Sequence, residues 1–341
     1  MSEANIQKIL VVRLSSLGDI VHTLPAIAAL RESFPEARID WVVDERWLQL
    51  AEMVHGIDTL IPLRRSAVGV ASCIQQLRAA RYPCVVDYQG LYRSAVLAWF
   101  SGGARTIGFD RIAAREPGSS MFYSERVVPV GRHVAEMNLD LSLRAGARLP
   151  RALQFPLRVP EQKLRRAQEK MRREGVADYV VLSPGGGWVS KCWTPDRYGA
   201  LALELWRRQG VRSLVNVSPG QGELARSVLA AAGESNPLVV SPPLQELAAL
   251  AAGARLVIGA DTGPVHLAAA LGTRVVALFG PTDPARNGPL PAGSVLRSAS
   301  VGESSYKRGK DYSEAMLSVS VEQVLEAAER EMSLSPANRA V

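Results

Sequence analysis

Short apolar, β-branched runs alternate with helix-length segments along almost the whole chain, and the alternation is played out twice. In the first half, Lys8–Leu14, Arg38–Val43, Thr59–Pro62 and Cys84–Tyr88 read as strands. Between and after them, Ile20–Phe34, Leu48–Val54, Val70–Ala80 and Leu91–Phe100 read as helices, with Pro25 bending the first near its start. An arginine-rich stretch, Arg105–Glu125, shows little periodicity, and a helix follows over His133–Gly146. Residues 149–161 hold three prolines and read as a linker. The second half opens on a charged helix, Gln162–Glu174. Strands then fall at Tyr179–Ser183, Ser213–Val217, Leu238–Val240, Leu256–Ile258 and Arg274–Phe279. The intervening helices are Asp196–Gln209, Glu223–Ala232, Leu244–Ala252 and Pro264–Leu271; a polar tail, Ser298–Ser313, precedes a last helix, Val321–Glu331. Strands alternating with crossover helices build parallel sheets. The expectation is α/β: two Rossmann-like domains, 1–155 and 162–318, whose ligands sit at the carboxyl ends of the strands.

A chain of 341 residues, 47% hydrophobic and 21% charged, can bury two cores. Cys73, Cys84 and Cys192 have no metal-cluster or disulfide spacing. No secretory leader and no long apolar run are visible, so the expected location is cytoplasmic. The net charge of +7 is unevenly spread: residues 61–160 carry 14 basic side chains, all arginine, against 6 acidic ones. Arginine's planar fork suits phosphate and carboxylate, so this is either a solvated basic surface or a face that meets an anion. No helix-turn-helix, zinc finger or RNP-like pattern points to nucleic acid.

Four loops at strand ends carry the candidate chemistry. Ser15-Ser16-Leu17-Gly18-Asp19 follows the first strand. With one glycine it is not a dinucleotide fingerprint, and Asp19 there is a helix cap or a carboxylate facing a ligand. His22 is a packing residue or part of that site. Ser183–Lys191 contains Gly185, Gly186 and Gly187, whose exposed N–H groups let an anion approach, with Lys191 adding a mobile positive charge. It lacks the Walker A pattern, and a plain flexible turn is the other reading. In Gly259–Ala270 a strand ends and a helix starts near Pro264, so the N–H groups of Thr262 and Gly263 can receive a phosphate. Asp261 and His266 flank that point; Asp261 repels phosphate and suits sugar hydroxyls. Phe279-Gly280-Pro281-Thr282-Asp283-Pro284 adds a polar turn, open to a simple Asx reading. With four scattered histidines and no HExxH or EF-hand loop, no protein-held metal is expected. The picture is a metal-free nucleotide-diphosphate site in the second domain.

These motifs resemble glycosyltransferase family 9, the bacterial lipopolysaccharide heptosyltransferases, over nearly the whole chain. The resemblance is most specific in Asp261–Gly272 and Phe279–Pro284, and the opening Arg13–Pro25 shares it. Asp40–Glu45, Asp87–Leu91 and Ala114–Pro117 resemble the heptosyltransferase I branch, which adds the first heptose to Kdo2-lipid A. The resemblance implies a GT-B fold with a cleft between its domains, the acceptor on the first and the donor on the second. It also implies a final helix, within 319–334, packing back on the first domain. The donor would be ADP-heptose, transferred with inversion and without metal or other cofactor. Asp19 would be the general base. Gly185, Gly186, Gly187, Lys191, Glu223, Asp261, Thr262, Gly263 and His266 would bind the donor, with Glu223 at the ribose. Arg64, Arg65, Gln89 and Arg115 would bind the acceptor. A glycolipid acceptor implies transient contact with the inner face of the cytoplasmic membrane.

Alternatives stay open at this level. Heptosyltransferase II, or another GT-B nucleotide-sugar enzyme such as an epimerase, shares the donor loops; an epimerase leaves the arginine-rich segment unexplained. A nucleotide-sugar-binding or nucleic-acid-binding protein is a non-enzymatic rival, and a dehydrogenase is disfavoured by the missing glycine fingerprint. Gly185–Gly187 stands where heptosyltransferase I commonly has hydroxyl residues, so phosphate contacts there must be mostly backbone.

Overall fold

The computed structural model describes residues 6–291, 293–298 and 309–334. The chain divides into two compact units, Met1–Arg158 and Val159–Val341, and the division falls inside the proline-bearing segment.

The first unit is built on a six-stranded, all-parallel sheet of β1 (Lys8–Val12), β2 (Arg38–Asp44), β3 (Thr59–Leu63), β4 (Cys84–Asp87), β5 (Arg105–Phe109) and β6 (Glu125–Val127), in the order β3-β2-β1-β4-β5-β6. The central strands are unbroken apolar runs because helices cover both faces of the sheet. In β1, Ile9, Leu10, Val11 and Val12 have no exposed surface, and Val11 lies opposite Trp41 on one side and Val86 on the other. The second unit repeats the plan with β7 (Tyr179–Ser183), β8 (Arg212–Asn216), β9 (Leu238–Val240), β10 (Leu256–Ala260), β11 (Val275–Phe279) and β12 (Ser294–Arg297), in the order β12-β11-β10-β7-β8-β9.

Numbered from its own start, each unit follows the doubly wound order 3-2-1-4-5-6. The direction of winding reverses between the first and fourth strands, which are β1 and β4 in one unit and β7 and β10 in the other. Loops leaving such a pair diverge and open a crevice at the carboxyl ends of the strands. Three of the four candidate loops leave β1, β7 and β10, and Gln89 follows β4; the fourth loop, Phe279–Pro284, leaves the neighbouring β11.

Besides the edge strand β12, which the sequence reading does not place, three elements depart from the sequence expectation. The helix expected over Ile20–Phe34 is two, Leu17–Val21 and Leu24–Ser33. The break at His22-Thr23 is fixed by Asn138, whose amide donates to the His22 carbonyl at 3.0 Å and to Thr23 Oγ1 at 3.3 Å. Pro25, with no N–H to give, then sits in the first turn of the second helix. The Arg105–Glu125 stretch, which shows little periodicity, supplies β5 and starts β6.

The third departure is the final helix, Val321–Ser333, expected against the first domain. Its apolar face lies in the core of the second unit, where Val324, Leu325, Ala327 and Ala328 pack with Trp193, Leu201 and Leu205. The approach to it is pinned there: Trp193 Nε1 donates to the Val319 carbonyl at 2.9 Å, and Arg197 to those of Leu317 and Val319 at 2.6 and 2.8 Å. Of the polar tail, residues 299–308 lie outside the described residues.

Candidate active site

In the first unit, β1 leads into Arg13 and Leu14, and the helix Leu17–Val21 starts after Ser16. Asp19 lies in that helix's first turn, and its carboxylate turns back on the loop. Oδ2 accepts from the Ser16 N–H at 3.1 Å and the Ser16 hydroxyl at 2.8 Å. Arg13 Nη2 lies 3.2 Å from Oδ1, and Arg115 Nη1 lies 3.2 Å from Oδ2. Asp19 is therefore the partner of the N-cap Ser16 in a capping box, and also a carboxylate held by two guanidiniums. Burial alone would raise its pKa; Arg13, Arg115 and the two Ser16 hydrogen bonds outweigh burial and hold it well below the usual carboxylate range.

The two arginines differ. Arg13 is 3% exposed, and its guanidinium also donates to the Tyr88 carbonyl. Burial lowers its pKa while Asp19 opposes that effect. Arg115 is 56% exposed and reaches Asp19 from a loop after β5. That loop is seated by Glu116, whose N–H donates to the Gly90 carbonyl at 3.0 Å and whose carboxylate accepts the Tyr92 N–H at 2.5 Å. Gly90 has φ +66°, a left-handed backbone that favours glycine, and it lies in van der Waals contact distance of Ala114 and Arg115.

Gln89 is buried, and its side-chain carbonyl is committed, accepting the Leu14 N–H at 2.6 Å. Its own N–H donates to Asp87 Oδ1 at 2.9 Å. It braces the exits of β1 and β4 against each other. Asp87 also accepts the Tyr123 hydroxyl at 2.7 Å, and burial pushes its pKa up.

Arg65 and Arg64 belong to a second group in this unit. Asp44, at the end of β2, is wholly buried, and three half-exposed arginines converge on it: Arg65 at 2.8 Å, Arg46 at 3.0 Å and Arg93 at 3.6 Å. Arg64 pairs with Glu45 at 3.7 Å. One buried carboxylate thus fixes the inner edges of three forks and leaves net positive charge facing solvent. Sequence reasoning named Arg64 and Arg65 and missed Arg46, Arg93 and Asp44. It named Asp19 and Arg115 and missed the roles of Arg13 and Ser16, although both stand in the Arg13–Pro25 motif.

In the second unit, the loop after β7 and the loop after β10 meet. Lys191 Nζ lies 3.3 Å from Asp261 Oδ2, and His266 Nε2 lies 3.0 Å from Asp261 Oδ1. All three side chains are nearly buried. Burial raises the Asp261 carboxyl, but the His266 hydrogen bond and the Lys191 charge outweigh it and bring the pKa to about 2. The carboxylate is therefore ionised, and His266 Nε2 carries the proton it donates. Lys191 also stands 4.9 Å from the centre of the Trp188 ring, a second hold on its charge that the sequence did not reveal.

Thr262 is the N-cap residue of the helix Gly263–Ala270 and is 8% exposed, so the free N–H groups of the first turn begin beside the Asp261 cluster. The triple glycine packs onto the same place. A Cβ on Gly186 would stand 2.6 Å from Cys192 Sγ and 3.3 Å from Thr262 Cγ2, and one on Gly185 2.9 Å from Gln221 Oε1; Gly187 is open. Glu223 is outside this cluster: it is 82% exposed and pairs with Arg226. Asp283 follows the Asx reading, capping the short helix Pro284–Asn287 through the Ala285 N–H at 3.0 Å. Among the described residues, no three His, Cys, Asp or Glu side chains gather in a way that could hold a metal ion.

Two Rossmann-like units of one strand order, each with charged loops at its switch point, define an α/β protein of the GT-B class. A family model described as Glycosyltransferase family 9 (heptosyltransferase) matches residues 70–315. Lipopolysaccharide heptosyltransferase 1 of Pseudomonas aeruginosa is 34% identical over 300 residues, spanning 82% of this chain and 81% of that protein. Lipopolysaccharide heptosyltransferase 3 of Escherichia coli is 28% identical, spanning 78% and 80%. The solved E. coli heptosyltransferase WaaC with ADP superposes with a TM-score of 0.76 at 26% identity, over 95% of this chain and 99% of that one. The chain belongs to glycosyltransferase family 9 and is a glycosyltransferase.

Proposed function

We propose that this enzyme is a lipopolysaccharide heptosyltransferase that moves L-glycero-D-manno-heptose from ADP-heptose to Kdo2-lipid A. The observation that carries the reading is the pairing of chemistries. One unit holds an ionised carboxylate between guanidiniums. The other holds an ammonium, a helix N-terminus and a glycine loop around Asp261. Relatives named heptosyltransferase 1 support the class, and a WaaC structure with an ADP-2-deoxy-2-fluoro heptose supports the donor.

In the reaction, an acceptor hydroxyl oxygen attacks the anomeric carbon, the bond from that carbon to the diphosphate oxygen breaks, and ADP leaves with inversion. Asp19 takes the hydroxyl proton as general base. A carboxylate gripped by two guanidiniums is a weak base, so one grip must loosen. Arg13 is buried and fixed; Arg115 is half exposed and can turn to an acceptor carboxylate or phosphate, which raises the basicity of Asp19 when the acceptor is in place. Lys191 and the N–H groups of Thr262, Gly263 and the Gly185–Gly187 loop stabilise the leaving diphosphate. Asp261 orients Lys191 and His266 and accepts from the heptose hydroxyls, and Glu223 meets the ribose. Arg64 and Arg65, with Arg46 and Arg93 beside them, receive the acceptor's anionic groups, while Gln89 positions the loop that carries Asp19. The acceptor is a glycolipid, so the enzyme works at the inner membrane surface.

The test is release of ADP from ADP-heptose with and without O-deacylated Kdo2-lipid A, using wild type and Asp19→Asn. Release that needs both the acceptor and Asp19 supports the reading. Donor binding with no release on this acceptor, but release on a mono-heptosylated core, moves the enzyme to a later heptose addition. Absence of donor binding overturns it.

A further inference from the structure

The helix Tyr92–Phe100 buries Ser94, Ala95, Leu97 and Ala98. The opposite face of a surface helix is normally polar. Here Tyr92, Val96, Trp99 and Phe100 occupy it at helical spacing, with Arg93 as the charged residue among them. Trp99 is 54% exposed, Tyr92 48% and Phe100 38%. The stripe continues beyond the helix. Phe122, from the turn Pro117–Phe122, meets Tyr92 edge-on with ring centres 6.5 Å apart and lies 6.1 Å from Trp99, which is 4.8 Å from Phe100. Gly118 makes this possible, since a Cβ there would collide with the Tyr92 hydroxyl. The turn packs beside the helix and carries Met121, next to Phe122 in sequence and 69% exposed. The turn holds no charged residue, and the chain from Tyr88 to Phe109 holds no carboxylate. At the Tyr92 end, Arg93 reaches Asp44 and so joins Arg46 and Arg65.

A contiguous exposed apolar patch marks an interaction surface. Its composition selects the partner. Trp, Tyr and Phe beside arginines match the boundary of a bilayer, where rings sit among the upper acyl chains and guanidiniums bind lipid phosphates; the nearby carboxylates are held inward, Glu116 on the Tyr92 N–H and Asp44 buried beneath Arg93. A symmetric pair of copies meeting on the stripe would bring like arginines together, which disfavours self-association. We infer that the stripe Tyr92, Val96, Trp99, Phe100, Met121 and Phe122, with Arg93 at its edge, docks this protein on an anionic lipid surface. The docking stands on this surface alone; its consequence for turnover rests on the function proposed above.

The test uses the full chain and vesicles of phosphatidylcholine with or without phosphatidylglycerol. Wild type floats with the anionic vesicles, and salt weakens the association. Trp99→Ser with Phe100→Ser lowers vesicle affinity by about tenfold or more, from the lost burial of two rings. Because both side chains are partly exposed, turnover on O-deacylated acceptor stays as in wild type, while turnover on acceptor embedded in vesicles falls. A contact readout guards against a fold effect: bromolipid vesicles quench part of the wild-type tryptophan fluorescence, and Trp99→Phe keeps binding but loses that part. Vesicle binding equal to wild type in the double variant overturns the inference, as does a double variant that merely changes from dimer to monomer. Loss of turnover on both acceptor forms in wild type would sink the proposed function and leave the docking surface standing.

Discussion

Replacing Asp19 by Asn separates the structural from the chemical work of this carboxylate. Asn keeps the shape and can still meet Ser16, but it leaves the buried Arg13 charge with the Tyr88 carbonyl and the more distant Asp87 carboxylate. Removing one partner of a fully buried pair costs about 3–5 kcal/mol, and since Asp19 is 19% exposed and Arg115 half exposed, water screens part of this, leaving about 2–3 kcal/mol. The loss has a definite pH signature. The folded pKa of Asp19 lies below its unfolded value, so its stabilising contribution is present in full above the unfolded pKa and fades as pH falls through the folded one. The gap between wild type and Asp19→Asn should therefore be constant from about pH 8 to about pH 6 and narrow below about pH 4. Urea unfolding followed by tryptophan fluorescence reads it directly. A gap that widens in acid, or no gap at neutral pH, would refute the ion-pair account. In the same variant, turnover should fall by about 10²–10⁴-fold with donor affinity unchanged. Near-normal turnover would remove Asp19 from the chemistry, whatever the stability result.

Other substitutions test the remaining parts. Asp44→Ala frees Arg46, Arg65 and Arg93 from their common anchor, and steady-state kinetics should show acceptor KM raised about tenfold with kcat little changed. Lys191→Ala removes the charge proposed for the leaving diphosphate, lowering kcat by about 10²-fold, and Lys191→Arg restores it poorly because a fork replaces a point charge. Gly186→Ala puts a methyl 2.6 Å from Cys192 Sγ, so calorimetry should find donor binding weakened, with partial recovery when Cys192→Ala makes room.

What could be read from sequence follows from where each residue's environment is written. The central strands, such as Ile9–Val12 and Val275–Phe279, announce themselves because burial on both faces demands continuous apolar runs. Of the four edge strands, β3 and β9 are legible and β6 and β12 are not. Glu125–Val127 and Ser294–Arg297 are short, half-exposed and charged, as edges that must resist pairing tend to be, and they match no apolar template. The candidate loops were legible because they leave strands at places the alternation itself locates. Their partners were not: Arg115 lies 96 residues from Asp19 and arrives on a loop seated by Glu116 against Gly90 and Tyr92. The final helix shows the same limit. Its amphipathic pattern predicts a buried face, but which unit receives that face is settled by Trp193 and Arg197.

The two units share a strand order and differ in the sign of what they hold. At the first switch point the central group is an anion, Asp19, and the fixed environment is cationic. At the second, an ionised Asp261 is the fixed element, and the group it presents is the Lys191 ammonium. In each case a buried counter-charge, Arg13 for Asp19 and Asp261 for Lys191, holds the charge it pairs with in one position; under the proposed mechanism only the exposed Arg115 has to move. The shared sheet explains the placement, because only loops that diverge at a switch point can bring groups from distant parts of the chain onto one crevice. It does not explain the charges, which reside in single residues such as Arg13 and His266. Under the function proposed above, a change of acceptor would call for altered arginines such as Arg46, Arg65 and Arg93 and would leave the proposed donor cluster at the ends of β7 and β10 untouched.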